Sequence, residues 1–232
     1  MTSELKQIQI GYTENHPCSY LENQLERIAI AMDDSMHNNA GYEVLLANGF
    51  RRSGKTIYMP HCDQCQECQA IRIPVKDFVP SRSQKRLLNK AKHLQLVVAR
   101  KLDEQWFTLY ERYIEAKHPT GSMYPANQRN FEQFIESHGI STRFLHIYDD
   151  KELIAVAVTD TLSKSASAFY TFYQPNYAIS LGTLSVLLQI KYCNIKELDW
   201  LYLGYQIDAC QAMNYKVKFN PHQRLVNRRW QG

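Results

Sequence analysis

The feature that most constrains the fold of this chain is a change of hydrophobic period near residue 142. From there "RFLHIY", "ELIAVAVTDTL" and "SASAFYTFY" have the patterns of three consecutive strands, with Asp149 and Asp150 in the first turn. "SLGTLSVLLQIKYC" then predicts a buried helix, and "LDWLYLGY" predicts a final strand. We therefore expect an α+β protein with a central mixed sheet and flanking helices.

The chain upstream of this sheet has a different character. Residues 103–118 and 127–139 carry apolar side chains at helical spacing, and the chain before them is rich in cysteine and basic residues. We predict a small cysteine-containing, basic N-terminal domain over 1–95 and a second domain over 96–232. The order of meander, helix and strand in the second domain resembles that of acyltransferases with the N-acetyltransferase-like fold.

Four cysteines have the spacing of ligands for a thiolate-bound metal. Cys62, Cys65 and Cys68 form a C-x-x-C-x-x-C run, and Cys18 is the candidate for a fourth ligand from an earlier segment. Zinc and an iron–sulfur cluster both suit tetrahedral thiolates. Two alternatives stay open, namely reduced thiols that are buried or catalytic, and a disulfide.

The sequence also bears on where the protein works. The first thirty residues lack an apolar run behind a basic start, and no apolar stretch is long enough to span a membrane. We expect a cytoplasmic protein without a membrane partner, in which reducing conditions keep the thiols free or metal-bound. The oligomeric state is left open.

Charge is segregated along the chain. Residues 51–101 carry twelve basic and three acidic side chains, whereas residues 1–50 carry two basic and seven acidic ones. Such segregation favours an anionic partner, although acidic and basic blocks facing each other across an interface would also explain it. The clearest part is a predicted helix that begins at Ser81, where Gln84 completes a capping box. Its apolar residues share one face, and the opposite face is uniformly basic, with Arg82, Lys85, Arg86, Lys90 and Lys92.

One expected element of an acetyltransferase is missing. Coenzyme A is normally bound by a glycine-rich loop that opens the helix after the central strands, where bare backbone N–H groups approach the pyrophosphate. The corresponding segment, "YAISLGTLSVLL", contains only Gly182. Together with the basic residues, this favours another acyl donor, and an aminoacyl-tRNA fits because it is a polyanion that carries an activated ester. A coenzyme A-dependent acetyltransferase is correspondingly disfavoured.

Several motifs, in order along nearly the whole chain, carry a family resemblance. They are "CSYL", "GFRRSGKTIYMPHCDQCQECQAIRIPV", "FVPSRSQKR", "ERYIEAKH", "YTFYQP", "SLGTLSVLLQI" and "LYLGYQI…MNYKVKFNP". The chain resembles the bacterial aspartate/glutamate leucyltransferases, which belong to the arginyl-tRNA–protein transferase family. The departures lie in the second half, where Gln206 replaces a usual Trp and Ala212 a usual Lys, so the choice between leucyl and arginyl donors is less certain than the reaction class.

The resemblance implies a specific activity. The enzyme would move leucine from leucyl-tRNA to the free α-amino group of proteins that begin with Asp or Glu, creating an N-end rule degradation signal. No cofactor is required for that chemistry, while zinc and iron–sulfur binding have both been proposed for the family. The alternatives are arginyl-tRNA-dependent transfer to the same acceptors and a non-catalytic, metal-stabilised RNA-binding protein.

Candidate site residues follow from these roles. An Arg fork suits the acceptor carboxylate, and Arg52 and Arg72 are the candidates, with an internal salt bridge as the equal alternative. Candidates to contact the ester or stack the terminal adenine are Tyr170, Tyr202 and Tyr205, which otherwise pack in the sheet. His118 is a candidate proton acceptor, although a single His after a helix is more often structural. The tRNA candidates combine the basic helix face with a downstream lysine: Arg82, Lys85, Arg86, Lys90 and Lys216.

Overall fold

The computed structural model describes residues 7–137 and 139–232. It is an α+β structure in which one large mixed sheet is covered by helices on both faces, and a smaller sheet lies at its side. Within the described residues, no helix is long and apolar enough to cross a membrane.

The N-terminal part forms a small antiparallel sheet with strand order β1-β4-β6-β5, a two-stranded hairpin of β2 and β3, and one helix. The helix α1 begins after Asn38, whose side chain accepts a hydrogen bond from the Gly41 N–H. The bounds are β1 (Ile10–Tyr12), β2 (His16–Pro17), β3 (Leu25–Glu26), β4 (Ile28–Ala31), α1 (Asn39–Ala47), β5 (Arg51–Ser53) and β6 (Thr56–Pro60).

The large sheet has eight strands in the order β14-β13-β7-β12-β11-β10-β9-β8, and every pair is antiparallel except β11 with β12. The remaining elements are β7 (Gln69–Pro74), α2 (Arg82–Lys90), β8 (Gln95–Ala99), α3 (Trp106–Lys117), α4 (Gln128–Ile135), β9 (Thr142–Asp149), β10 (Glu152–Thr161), β11 (Ser165–Tyr173), α5 (Leu181–Ile195), β12 (Trp200–Gln206), β13 (Gln223–Val226) and β14 (Arg229–Gln231).

The two faces of the sheet bury different layers. Along β10, Ala157 faces the cluster formed with α5, while Val156 and Val158 face the aromatic cluster of α3 and α4. This alternation follows from the two-residue period of a strand, and both faces are apolar because both are covered. Burial on both faces explains why "LIAVAV" reads as a continuous apolar run.

The predicted meander, the helix after it and the strand that follows the helix are confirmed in order and type. The expectation that this strand is the last one is wrong, because the basic tail adds β13 and β14 to the large sheet. The predicted capping box is confirmed as well, since Ser81 and Gln84 exchange both hydrogen bonds at the start of α2. The helix expected over 127–139 ends earlier, at Ile135, where Glu136 leaves helical geometry.

The domain boundary at residue 95 stays a prediction, and the large sheet crosses it. The strand β7 comes from the predicted first domain, yet it pairs with β12 and β13 of the second. The segment 1–95 is therefore divided between two sheets, because its first strands form the small sheet while β7 lies inside the large one.

Candidate active site

The large sheet opens between β11 and β12. The two strands pair in parallel from Ser165 opposite Trp200 to Ser167 opposite Tyr202 and no further, although β11 continues to Tyr173. Beyond this point β11 stays paired with β10, and β12 stays paired with β7. The facing edges of the diverging strands have no strand partner, so backbone donors and acceptors are available to an extended ligand.

Local irregularities in both strands accompany the opening. Gly204 in β12 has φ +85°, a conformation that side chains disfavour, and it lies where the pairing of β12 with β7 shifts register between Tyr202 and Tyr205. The pairing of β10 with β11 shifts after Val158, so that Phe169 forms a bulge. Bulges of this kind re-aim side chains beside functional sites.

One wall of the opening is aromatic and contains a histidine. The Tyr173 ring lies 5.0 Å from the Tyr113 ring, edge to face, and the Tyr113 hydroxyl lies 3.2 Å from Nε2 of His118. Burial lowers the pKa of His118, so the imidazole is neutral near pH 7 and able to accept a proton. A methyl group at Gly182 would lie 3.2 Å from the Tyr173 ring, so the missing side chain lets the start of α5 approach this wall.

The turn after β12 carries two further candidate residues, Tyr215 and Lys216. Burial raises the pKa of Tyr215, and the Tyr173 phenol acts in the same direction. Lys216 follows Tyr215 and is 4% exposed, and its Nζ donates to the Met213 carbonyl at 3.1 Å and the Met213 sulfur at 3.3 Å. Burial lowers the pKa of Lys216 to about 8, and nearby Arg51 acts in the same direction.

Arg51 contacts β12 beyond the last residue of that strand that pairs with β11. Its Nη2 donates to the Gly204 carbonyl at 3.1 Å, and its guanidinium lies 5.3 Å from the Tyr202 ring centre and 5.5 Å from that of Tyr205. The Tyr205 hydroxyl is buried and donates to the Gly49 carbonyl at 2.9 Å. Tyr205 therefore holds the sheet together in this structure, as the packing alternative anticipated.

Tyr170 and Tyr202 also have internal contacts. The Tyr170 ring packs edge to face on Phe131 and Phe134, and burial raises the pKa of its phenol. The Tyr202 hydroxyl accepts a hydrogen bond from Nη1 of Arg72 at 3.3 Å. Neither contact excludes a role in binding, so their assignment as ligand contacts stays a prediction.

The two arginines predicted for the acceptor carboxylate occupy different environments. Arg52 makes two hydrogen bonds of 2.7 Å to Asp160, and both side chains are wholly buried. Arg52 thus has the internal salt bridge that the sequence left as the equal alternative, and its charge is already neutralised by that carboxylate.

Arg72 is held by aromatic stacking. Its guanidinium lies 3.6 Å from the Trp200 ring centre and 4.1 Å from that of Trp230, and it donates to the Gln223 side chain. Arg72 makes no ion pair within the described parts of the chain, but its stacked position fixes the C-terminal hairpin onto the sheet. Its substrate role stays a prediction.

The four predicted metal ligands are half-buried free thiols. Burial raises the pKa of Cys68 to about 12, and the charges of Cys62, Cys18 and Cys65 act in the same direction. The Tyr20 N–H also points to the Cys18 sulfur at 3.5 Å. The donor set fits a thiophilic metal in kind and number, but over residues 7–137 and 139–232 no three His, Cys, Asp or Glu side chains are assembled for coordination.

The basic helix has the predicted polarity. Leu87 and Leu88 pack on the core, whereas the basic side chains are exposed and make no ion pair with any described residue. The Gln84 side chain donates to the Lys218 carbonyl at 3.1 Å, which ties α2 to the turn that carries Lys216. The helix therefore presents a positive face, without ion pairs to the described residues, next to the turn that carries Lys216. Lys216 itself is buried under that turn, so a contact with a tRNA phosphate would require the turn to move.

Sequence reasoning missed Arg51, Tyr113 and Tyr215. Tyr113 looked like an ordinary apolar position of α3, and Arg51 was passed over in favour of its neighbour. The sequence did contain a signal for Arg51. Arg51 and Arg52 are consecutive residues of one strand, so their side chains point to opposite faces, and only one of them can pair with Asp160.

Comparison with known proteins defines the class. The chain belongs to the arginine-tRNA–protein transferase family, whose C-terminal model matches residues 105–226 and whose N-terminal model matches residues 16–86. It is thus an aminoacyltransferase, as the motifs predicted.

The curated relatives narrow this class. An aspartate/glutamate leucyltransferase from Vibrio cholerae is 60% identical, and one from Vibrio vulnificus is 58% identical, each over 100% of both chains. Another from Pseudoalteromonas atlantica is 42% identical over 97% of each chain. Among solved structures, the C-terminal domain of a protein described as a lysylphosphatidylglycerol synthetase from Agrobacterium fabrum covers 62% of this chain and 48% of its own. Its TM-score of 0.49 and identity of 10% are too low to assign a fold.

Proposed function

We propose that this protein transfers leucine from leucyl-tRNA to the N-terminal amino group of proteins that begin with Asp or Glu. The observation that carries the proposal is the full-length identity of about 60% to proteins named for that reaction. The product would carry an N-terminal leucine and thereby an N-end rule degradation signal. Aminoacyl-tRNA is a cytoplasmic substrate, and we place the reaction there.

The donor is leucyl-tRNA rather than arginyl-tRNA in this proposal. The family description names arginine, but the full-length relatives at 55–60% identity are named as leucyltransferases. Gln206 and Ala212 stand where the family usually has Trp and Lys. They are therefore the residues to examine if the donor preference of this protein differs from that of its relatives. A non-catalytic RNA-binding protein is not favoured by these names.

The catalytic domain has an N-acetyltransferase-like arrangement in this proposal. The supporting features are the antiparallel meander β9-β10-β11, the following helix α5, and the strand β12 that lies parallel to β11 before leaving it. An opening between two parallel strands gives a substrate chain access to backbone groups in the middle of a sheet. We propose that the acceptor N-terminus and the aminoacyl ester meet in this opening.

The chemistry requires positioning more than activation, because the ester is already reactive. The acceptor nitrogen loses a proton and attacks the leucyl carbonyl carbon, a C–N bond forms, and the C–O bond to the terminal ribose breaks. The ribose oxygen then takes up a proton, so no covalent enzyme intermediate and no bound cofactor are needed. The neutral His118, hydrogen bonded to Tyr113, is the proposed proton acceptor.

The exposed basic face of α2 is the proposed contact for the tRNA acceptor arm. Lys85, Arg86 and Lys90 have no internal ion partner in the described residues and lie on the helix tied to the Lys216 turn. Contacts with phosphates position a nucleic acid without reading its sequence, which suits an enzyme that has to hold a tRNA end.

We also propose that Cys18, Cys62, Cys65 and Cys68 hold a zinc ion or an iron–sulfur cluster, which would tie the N-terminal hairpin to the loop before β7. A bound metal would form a bond to each of the four thiolates, which otherwise repel one another. Its binding free energy would thereby stabilise the folded state. Elemental analysis and absorption spectra of anaerobically purified protein test this, and a fully folded and active apo protein would refute it.

The transfer assay tests the main proposal. Purified protein is incubated with leucyl-tRNA or arginyl-tRNA, each radiolabelled in the amino acid, and with peptides that differ only in a first residue of Asp, Glu, Lys or Arg. We expect leucine to appear on the Asp and Glu peptides only. Absence of leucyl transfer to either acidic peptide would refute the proposed function.

A further inference from the structure

Two cations lie buried beside the opening without a carboxylate. Arg51 is 6% exposed and Lys216 is 4% exposed, and neither makes an ion pair with any residue in 7–137 or 139–232. Both lie against β12, since Arg51 donates to the Gly204 carbonyl and the turn Asn214–Lys218 packs on the same strand. The charge of Arg51 also acts with burial to lower the pKa of Lys216. The two cations beside β12 are here called the cation pocket.

The internal contacts of these cations are with neutral groups. Arg51 faces the Tyr202 and Tyr205 rings, and Nζ of Lys216 lies 4.9 Å from the Tyr215 ring centre. Arg51 donates to the carbonyls of Phe50 and Gly204, and its Nε is buried with no hydrogen-bond partner among the described residues. Lys216 has one carbonyl and one thioether, both from Met213. Burial of an unpaired charge costs several kcal/mol, and an unmade hydrogen bond from a buried charged donor adds to this cost.

The carboxylates of the surrounding elements are already engaged. Asp160 is fully committed to Arg52, and Asp208, which follows β12, pairs with Arg224 at 2.8 Å. Glu26 lies 3.0 Å from His16 and accepts hydrogen bonds from Ser19. The cation pocket thus has an excess of positive charge that these acids do not neutralise.

We propose that Arg51 and Lys216 bind the side-chain carboxylate of the first residue of the acceptor protein. This inference rests on the proposed function and deepens it, since it assigns the selectivity for Asp and Glu to two residues. Arg51 bonds the backbone of β12 at Gly204, where β12 has left β11, so a carboxylate there would lie next to an amine in the opening. A charge-assisted hydrogen bond from each cation to the carboxylate would then offset the free-energy cost of burying the two positive charges.

The location also allows access. Lys216 lies in the turn Asn214–Lys218, whose neighbour Tyr215 is 39% exposed, and Cys210 near Lys216 is half-buried. The pocket is therefore covered by a short surface segment rather than by the sheet core.

The test measures acceptor selectivity in Lys216→Met and in a matched control, Lys218→Met, which removes an exposed lysine from the same turn. Rates of leucine transfer are compared for two peptides that differ only in a first residue of Glu or Gln. We expect Lys216→Met to lose roughly 10- to 100-fold in kcat/KM for the Glu peptide, the range for a charge-assisted hydrogen bond. The rate with the Gln peptide and the KM for leucyl-tRNA should not change.

Other outcomes overturn the inference. An equal loss with both peptides would indicate a structural role for Lys216, and an unchanged Glu preference would exclude it from the pocket. Arg51→Lys keeps the charge but not the fork, and we expect a smaller loss that is again confined to the Glu peptide. Should Arg51→Lys fail to fold, the result with Lys216→Met decides.

Direct binding separates this inference from the proposed function. Calorimetry with the Glu and Gln peptides in the absence of tRNA should show tighter binding of the Glu peptide to the wild type and to Lys218→Met, but not to Lys216→Met. A wild type that binds the Glu peptide selectively yet transfers no leucine would refute the proposed function alone. If the wild type transfers leucine but the preference for the Glu peptide over the Gln peptide is unchanged in Lys216→Met, the inference alone is refuted.

Discussion

Arg52 and Asp160 form a doubly hydrogen-bonded salt bridge whose two side chains are completely buried, with N–O distances of 2.7 Å. Arg52 comes from β5 of the small sheet and Asp160 from β10 of the large sheet, so the pair joins the two sheets. The remaining donors of Arg52 reach carbonyls of Gly54 and Ile135, and the Asp160 carboxylate also accepts from Thr142. The pair is thus a satisfied structural network.

Removal of one partner should destabilise the fold strongly. We expect Arg52→Met to lower the free energy of unfolding by about 3–5 kcal/mol, because Asp160 would be left as a buried charge without its partner. Urea denaturation followed by circular dichroism measures this. The double variant Arg52→Met with Asp160→Leu should regain part of the loss, and a single variant as stable as the wild type would contradict the structural assignment.

Acid should destabilise the protein through His146. This side chain is 2% exposed, its Nε2 lacks a hydrogen-bond partner, and burial lowers its pKa below 6.5. The unfolded chain therefore binds the proton more readily, and the contribution of His146 to stability is complete above the unfolded pKa and is lost as the pH falls below it. Unfolding free energies at pH 7.5 and roughly 5 should differ less in His146→Leu than in the wild type. An identical pH dependence in both would contradict this.

The basic helix should act through charge alone. We expect Lys85→Ala with Lys90→Ala to raise the KM for leucyl-tRNA and to reduce the slope of log affinity against log salt by about 1 to 2, since each lost phosphate contact removes about 0.7 to 0.9. The KM for the acceptor peptide should stay the same. Lys151→Ala, which removes an exposed lysine from the turn between β9 and β10, serves as the control and should leave both values unchanged.

His118 should affect the rate more than binding. If it accepts the proton of the acceptor, His118→Ala lowers kcat by about 10²- to 10⁴-fold and leaves the KM for both substrates within a few-fold. Tyr113→Phe removes the hydrogen bond to the imidazole but keeps the ring contact with Tyr173, so we expect a smaller loss. A normal kcat in His118→Ala would exclude the histidine from catalysis.

The sequence predicted the parts of the fold that depend on local pattern. The meander, α5 and the capping box of α2 follow from hydrophobic period and from a Ser–Gln spacing, and all three are confirmed. The insertion of β7 between β12 and β13 was not predicted, because the pairing of strands far apart in the chain depends on tertiary packing rather than on either strand's own pattern.

The candidate site was predicted less completely for the same reason. Residue type suggested arginine for a carboxylate, but the choice between Arg51 and Arg52 depends on which of the two meets Asp160, a residue more than a hundred positions away. Likewise, the burial of Lys216 and its lowered pKa follow from packing that the exposed-looking sequence "MNYKVKF" does not reveal. The cysteines, in contrast, were selected by their spacing alone, and their role as metal ligands stays a prediction.

The most direct measurement is the transfer of radiolabelled leucine from leucyl-tRNA to a peptide that begins with Glu, set against the same peptide beginning with Lys and against arginyl-tRNA as donor. The account predicts that one leucine is added to the Glu peptide, that the Lys peptide is not modified, and that arginine is transferred poorly if at all. Lack of leucine addition to the Glu peptide, or equal addition to the Lys peptide, would contradict it.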